Sequence, residues 1–258
     1  MKAIVIAGGL GTRLWPYTKV LPKPLLPIDD MPMIEVLLRQ LKAAGIDTVT
    51  LALHYKAALF RVLLGDGSRL GLEITYSESG ERLGTAGPIA LIEKPTASTI
   101  VLNGDILCDL DFRALARHHV RSGAPATIVL VPRNVEIPFG VIETDDDGVV
   151  TAFREKPTLP TLINGGIYVV EPEAWEKVGN LGYVDVSDLI RRALISRRGL
   201  QTYVHRGCWM DIGTVDAYHE AQTVFRSQRA RFLRTNALYD DVSEEHVVSS
   251  VALLTGAR

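Results

Sequence analysis

The stretch AGGLGTRLWPYTKVLPKPLLP, Ala7–Pro27, constrains this chain more than any other part of it. It holds three glycines, four prolines, one arginine and two lysines. That much proline forbids a long helix, and the segment is too long for a hairpin turn. It follows MKAIVIA, a short apolar run ending in glycines, which reads as a strand buried on both faces of a parallel sheet. In open α/β sheets, ligands bind beyond the carboxyl ends of the strands, which is where this segment begins. Gly8, Gly9 and Gly11 let backbone N–H groups approach an anion closely. Arg13 and Lys23 add two positive charges, and prolines 16, 22, 24 and 27 stiffen the path between them. The combination suits a polyphosphate. It is neither of two named phosphate motifs. A Walker loop would begin its Gly-Lys-Ser/Thr where Arg13 stands, and a Rossmann fingerprint would place its third glycine at Leu14.

The remaining chain supplies the scaffold such a loop needs. Apolar residues recur at helical spacing over Pro32–Ala44, with Pro32 suited to a first turn and Gly45 to the position after the end. Strands are expected at Asp47–Leu53, Leu72–Tyr76 and Ser98–Asn103, with a helix at Tyr55–Leu64 between the first two. After Pro125 the rhythm changes. Ala126–Val131, Gly140–Thr144, Val149–Phe153 and Gly165–Val170 read as strands, with Asp147-Gly148 as a hairpin turn. Helical patterns return at Val186–Arg197 and Val215–Arg229, and the tail from Arg231 to Arg258 is weakly patterned. The expected fold is therefore α/β, a Rossmann-like three-layer α/β/α arrangement around a mixed, mostly parallel sheet.

Bulk properties narrow the function. At 258 residues and 47% hydrophobic content, the chain can bury a substantial core. Its net charge of −2 comes from interspersed acids and bases, with no basic field for nucleic acid. The cysteines, Cys108 and Cys208, form neither a metal spacing nor a disulfide framework, which fits a reducing compartment. No signal h-region or membrane-length apolar run is read, so a cytoplasmic address is expected, with no nucleic-acid or membrane partner.

The segment GGLGTRLWPYTKVLPKPLLP resembles the signature of sugar-1-phosphate nucleotidylyltransferases, also called nucleotide-sugar pyrophosphorylases. The resemblance runs from Met1 to about Ala221, through LGTAG (Leu83–Gly87), NGD (Asn103–Asp105), EKP (Glu155–Pro157), INGGIY (Ile163–Tyr168) and WMDIGT (Trp209–Thr214). It implies the nucleotide-diphospho-sugar transferase fold, with a catalytic domain over 1–225. Residues 1–111 would form its nucleotide half and 112–225 its sugar-phosphate half, with 226–258 as a C-terminal extension. The C-terminal β-helix carried by many family members is not expected. The substrates would be a nucleoside triphosphate and a sugar 1-phosphate, with Mg²⁺ as cofactor and a homo-oligomer among the possible partners.

Residue by residue, the resemblance makes Arg13, Lys23, Asp105 and Asp211 the catalytic set, with Asp105 and Asp211 on the metal. Ala7, Gly8, Gly9, Gly11, Thr12, Glu81, Gly84, Thr85 and Ala86 would bind the nucleotide. Asn103, Gly140, Glu155, Lys156, Asn164 and Gly165 would bind the sugar phosphate. ERLGTAG is similar to the EPLGTAG of guanylyltransferases acting on mannose or heptose 1-phosphates, with Arg82 where proline is common. A carboxylate only accepts hydrogen bonds, and guanine offers two adjacent donors, so Glu81 points to GTP, with Glu78 as a second candidate acceptor. dTTP, UTP or CTP with a glucose-type sugar 1-phosphate is the alternative. Two readings from other classes stay open: a glycosyltransferase using Asp109 and Asp111, and a non-catalytic nucleotide-sugar sensor. Asp111 also reads as the cap of a helix starting at Phe112.

Overall fold

The computed structural model describes residues 1–80, 83–84, 87–175, 184–188, 190 and 199–233. The first strand, β1 (Lys2–Ile6), lies inside the sheet. After the proline-rich segment come α1 (Tyr17–Val20), the two-residue strands β2 (Pro27–Ile28) and β3 (Met31–Pro32), and α2 (Met33–Ala43). Then follow β4 (Thr48–Leu53), α3 (Ala57–Leu64), β5 (Glu73–Glu78) and β6 (Thr99–Asn103). β1 pairs in parallel with β4 on one side and β6 on the other, Ala3 standing opposite Val49 and Ile100. Its residues are apolar in succession because both faces are covered. Ala3 and Val5 pack with Leu37, Leu41 and Phe60 of α2 and α3, while Ile4 packs with Val101, Tyr168 and Trp175 on the other face.

α2 shows why this part was readable. Met33, Ile34, Val36, Leu37, Leu38 and Leu41 are buried. Its end is closed by Gly45 N–H to Lys42 O (2.9 Å) and Ile46 N–H to Leu41 O (3.1 Å), with Ile46 and Leu41 in the same core. The buried carboxylate of Glu35 accepts from Arg39 and Arg69, at 2.8 and 2.6 Å.

The second half builds the other flank. It comprises β7 (Ile106–Cys108), α4 (Phe112–Ser122), β8 (Ala126–Glu136), β9 (Val141–Thr144), β10 (Val150–Arg154), β11 (Thr158–Val170), β12 (Gln201–Val204) and β13 (Trp209–Asp211). Among the described residues the main sheet has seven strands in the order β12-β8-β11-β6-β1-β4-β5. β11 alone runs antiparallel to its neighbours, so the sheet is mixed and mostly parallel, as expected. β9 and β10 form a hairpin, turning where Gly148 N–H meets Asp145 O.

β8 and β11 run well past the expected Ala126–Val131 and Gly165–Val170, forming an exposed two-stranded arm in which Glu136 stands opposite Thr158. Pro132 and Pro160 lie within this arm, opposite Leu162 and Asn134. In a two-stranded arm every second N–H has no partner strand, so proline is tolerated there.

The expected helix at Val186–Arg197 lies mostly outside the described residues. The one expected at Val215–Arg229 is two: Val215–Ser227, capped by Thr214 Oγ1 accepting from Ala217 N–H (3.2 Å), and Arg229–Leu233. The break at Gln228 lets Arg229 reach back to the β2–β3 turn, where it grips Asp30 through both guanidinium nitrogens, at 2.6 and 2.9 Å. Burial pushes the Asp30 carboxyl up, but the bond and charge of Arg229 outweigh it and hold the group below its ordinary value. Gln40 of α2 ties the same region together, its buried amide donating to Cys108 O and Phe232 O. No helix among the described residues is long and apolar enough to cross a membrane.

Asp111 caps α4, its carboxylate accepting from Ala114 N–H at 3.0 Å. Asp111→Ala is expected to lower the unfolding free energy by about 1 kcal/mol, measured by urea denaturation, with the slope unchanged.

Candidate active site

The glycine segment leaves β1 at the carboxyl edge of the sheet. Ala7 N–H still pairs with Ala52 O (2.9 Å), and Gly8 then passes His54 so closely that a Cβ there would lie 3.2 Å from the histidine's. At Gly11 the chain takes φ +61°, and a Cβ would stand 2.9 Å from the Thr18 methyl. The same turn is fastened by Thr18 Oγ1 donating to Gly11 O at 2.8 Å. The rest of the segment is neither strand nor long helix. It is a run of short turns at Thr12–Leu14, Tyr17–Val20 and Lys23–Leu25, separated by prolines and anchored by the buried Leu14, Leu25 and Leu26. The loop encloses a cavity of about 330 Å³ whose lining includes Ala7, Gly9, Gly11, Thr12, Arg13, Lys23, Asp105 and Gly213.

At one side of this cavity the charges converge. Lys23 Nζ donates to Asp105 Oδ2 (2.8 Å) and to Asp211 Oδ1 (3.3 Å). The lysine side chain is 8% exposed, the two carboxylates 36% and 49%, so the ammonium lies beneath solvent-facing acids. Backbone pairing explains the convergence. Asp105 sits between β6 and β7, and β13 pairs antiparallel with β7, setting Asp211 opposite Ile106. Gly213 then lets Arg13 in: a Cβ there would lie 3.1 Å from Arg13 Nη2 and 3.2 Å from Asp211 Oδ2. Arg13 is exposed and has no carboxylate partner among the described residues.

Two carboxylates aimed at one cation suit Mg²⁺, which takes one or two protein acids and completes its shell with phosphates and water. Among the described residues no group of three or more His, Cys, Asp or Glu gathers to hold a metal.

The expected sugar-phosphate residues form two groups. Asn103 lies against Gly166, where a Cβ would meet its Nδ2 at 2.7 Å. Asn164 is held by its neighbours, Oδ1 accepting from Gly166 N–H (3.0 Å) and Nδ2 donating to the Tyr168 hydroxyl (2.6 Å). Burial pushes the Tyr168 hydroxyl up, the Asn164 bond offsetting part of this, so it stays protonated. Gly165 O accepts from Trp209 Nε1 at 2.9 Å, joining this turn to the strand that carries Asp211. The second group is at the hairpin. A Cβ on Gly140 would lie 2.7 Å from the Phe153 ring and 3.1 Å from Glu155 Oε2, and Lys156 is exposed with φ +42°. A non-glycine residue in that region is held by its surroundings at some cost, a pattern that clusters at ligand sites. No hydrogen bond among the described residues links this group to Lys23.

On the nucleotide side, Glu81, Thr85 and Ala86 lie outside the described residues. Gly84 has φ +77°, and a Cβ there would stand 2.5 Å from Val184 O. Val184 also binds Leu83 O and Gly87 N–H, at 3.0 and 3.1 Å, clamping both ends of LGTAG. The sequence reading did not find Val184, whose only signal is an apolar residue between Tyr183 and Asp185. Trp209 belongs to the WMDIGT motif, but no local pattern shows that its indole will bond Gly165 O. Glu78 is committed to an ion pair with Arg61. Asp109 lies 3.1 Å from His205 and pairs with Arg231, and Asp111 caps its helix.

Comparison with known proteins identifies the class. A Bacillus anthracis structure carrying the name glucose-1-phosphate thymidylyltransferase, in complex with a sucrose, aligns at TM-score 0.72 and 26% identity, covering 88% of this chain and 95% of that one. HddC from Yersinia pseudotuberculosis complexed with GMP-PN aligns at 0.66 and 24% identity, over 87% and 99%. The fold is that of the nucleotide-diphospho-sugar transferases. Residues 2–228 match the nucleotidyl transferase family, and the chain belongs to it. The mannose-1-phosphate guanylyltransferase of Mycobacterium tuberculosis is 36% identical over 222 residues, 84% of this chain and 62% of that protein. The UTP–glucose-1-phosphate uridylyltransferase of Synechocystis is 35% identical over 243 residues, 86% of this chain and 62% of that protein. The chain thus spans under two thirds of the length of these curated relatives.

Two glycines of the loop are expected to behave differently. Gly11→Ala should lose about 1–3 kcal/mol of stability, because its φ is positive and its neighbours crowd it. Gly9→Ala should leave the melting temperature unchanged, since nothing lies within 4 Å of a Cβ there. Thermal melts of both variants check this.

Proposed function

We propose that this protein transfers a nucleotidyl group from a nucleoside triphosphate to a sugar 1-phosphate, releasing pyrophosphate. The observation that carries the reading is the convergence of Lys23, Asp105 and Asp211 at the edge of a glycine-lined cavity. Membership of the nucleotidyl transferase family supports it, as do relatives named for this reaction at 33–36% identity.

The acceptor phosphate oxygen attacks the α-phosphorus in line, so no protein nucleophile is required. The protein's work is to position both substrates and neutralise their charge. Backbone N–H groups from Gly8 to Thr12 face the triphosphate. Arg13, free of any carboxylate partner among the described residues, offsets charge on the departing pyrophosphate. Lys23 serves the α-phosphate. Asp105 and Asp211 would hold Mg²⁺, which when bound screens the mutual repulsion of the phosphates. Lys156 holds the incoming sugar phosphate, and Asn103, Gly140, Glu155, Asn164 and Gly165 receive the sugar. This divides the labour between a nucleotide half, 1–111, and a sugar-phosphate half, 112–225.

For the base, Glu81 accepting from guanine N1–H and the 2-amino group makes GTP the donor. The names of the mannose-1-phosphate guanylyltransferases among the relatives support guanine and a mannose-like sugar, with a heptose-like one as the other member of the same reading. The uridylyltransferase relative keeps UTP with glucose 1-phosphate as the second reading.

One assay tests both levels: pyrophosphate release from GTP, dTTP, UTP, CTP and ATP with mannose 1-phosphate and glucose 1-phosphate, in Mg²⁺. Wild type should prefer GTP about 10–100-fold in kcat/KM, Asp105→Asn should lose about 10²–10³-fold, and Glu81→Gln should erode the base preference. A wild type preferring UTP or dTTP would remove the guanine assignment. Full activity of Asp105→Asn would remove the metal assignment.

A further inference from the structure

Two demands fall on the Lys23 ammonium. The proposed reaction needs it on the α-phosphate, while the structure has it bound by both metal-assigned carboxylates, at 2.8 and 3.3 Å. We propose that Lys23 is the resident counter-ion of Asp105 and Asp211, and that a divalent cation binding these acids displaces its ammonium toward the substrate phosphates. This rests on the assignment of Asp105 and Asp211 as metal ligands.

The geometry supports an exchange rather than coexistence. Two carboxylates brought to one point repel each other, and a cation between them relieves that repulsion. The ammonium supplies one positive charge and a divalent ion two, with a preference for hard oxygen ligands. The competing cation also has an approach. The acids are 36% and 49% exposed, whereas the lysine reaches them from beneath at 8%. Lys23 also lines the cavity that the glycine loop borders. Its first helical turn is fixed by Leu26 N–H to Lys23 O (3.1 Å), and its Cβ lies 3.3 Å from where a Gly11 Cβ would be. Beyond that point the side chain is a flexible four-carbon stem ending in a point charge. No carboxylate other than these two lies within ion-pair distance of Lys23 among the described residues.

The exchange has a cost, and the cost orders the reaction. An ammonium pushed off its carboxylates, on a side chain only 8% exposed, is a poorly solvated charge without a partner. A cation arriving alone must bear that cost, so it binds weakly. A cation arriving with a triphosphate does not, because the phosphate receives the displaced ammonium. Metal and nucleotide therefore bind cooperatively, and the lysine reaches the α-phosphate only when the carboxylates have their metal. By reciprocity the same coupling appears from either side.

The test is direct Mn²⁺ binding without nucleotide, read from the free-ion electron paramagnetic resonance signal, for wild type, Lys23→Met and Lys23→Met/Asp105→Asn. Lys23→Met should bind Mn²⁺ about 5–150-fold more tightly than wild type, the usual span of coupling between ligands. The double variant should lose that gain. Equal or weaker binding by Lys23→Met, with wild type binding measurably, overturns the displacement while leaving the carboxylates as metal ligands. If no form binds Mn²⁺, the displacement falls too. Whether the metal assignment falls with it is then read separately, from the activity of Asp105→Asn. A second readout uses the wild-type chain, so it does not depend on the variant folding. With lysine Cε labelled with carbon-13, saturating Mg²⁺ without nucleotide should move the Lys23 signal. A Mg²⁺-bound chain in which that signal stays in place contradicts the proposal.

Discussion

The bonds from the Lys23 ammonium to Asp105 and Asp211 join parts of the chain 82 and 188 residues apart. Each partner arrives by a different route. Lys23 is delivered by the proline-stiffened loop after β1, Asp105 by the end of β6, and Asp211 by β13 pairing against β7. β1 and β6 are neighbours in parallel register, so their carboxyl ends open on the same edge of the sheet. The β7–β13 ribbon is needed because Asp211 belongs to no strand of the main sheet. The rest of the site is arranged around this point: Arg13 passes over Gly213 beside Asp211, and Trp209 ties the Asn164–Gly166 turn to the same ribbon.

The first half of the fold was legible in the sequence because both signals it uses are local. β1 and β6 are apolar in succession, β4 ends in the apolar run Leu51–Leu53, and α2 carries its apolar face at helical spacing with a proline before it and a glycine after. The second half was read less fully because its strands are long and exposed. The arm of β8 and β11 carries polar residues and two prolines, and no periodicity reports that Thr158 will pair with Glu136. The break at Gln228 was hidden for another reason. It serves the pairing of Arg229 with Asp30, a contact across 199 residues, while the local pattern continues as helix.

The site was legible as a set of motifs and not as a geometry. Gly9, Gly11, Arg13, Lys23 and Asp105 gather around one cavity, whereas Gly140, Glu155 and Lys156 stand together at the hairpin. What spacing could not supply is which side chains bind one another. Asn164 is locked by the Tyr168 hydroxyl four residues on and by Gly166 N–H. Glu78 and Glu81 look alike in sequence, yet Glu78 is already paired with Arg61. Gly84 answers to Val184, a residue without a polar side chain and therefore without a motif.

In the proposed reaction the protein positions two phosphates and screens their charge, with no covalent intermediate on the chain. The stereochemical course at the α-phosphorus distinguishes this from a two-step transfer. A triphosphate chiral at an α-thiophosphate is turned over with the acceptor sugar 1-phosphate, and the product configuration is read by phosphorus-31 NMR. One in-line displacement predicts inversion. Retention would mean two displacements through a nucleotidyl-protein intermediate, and would contradict the account.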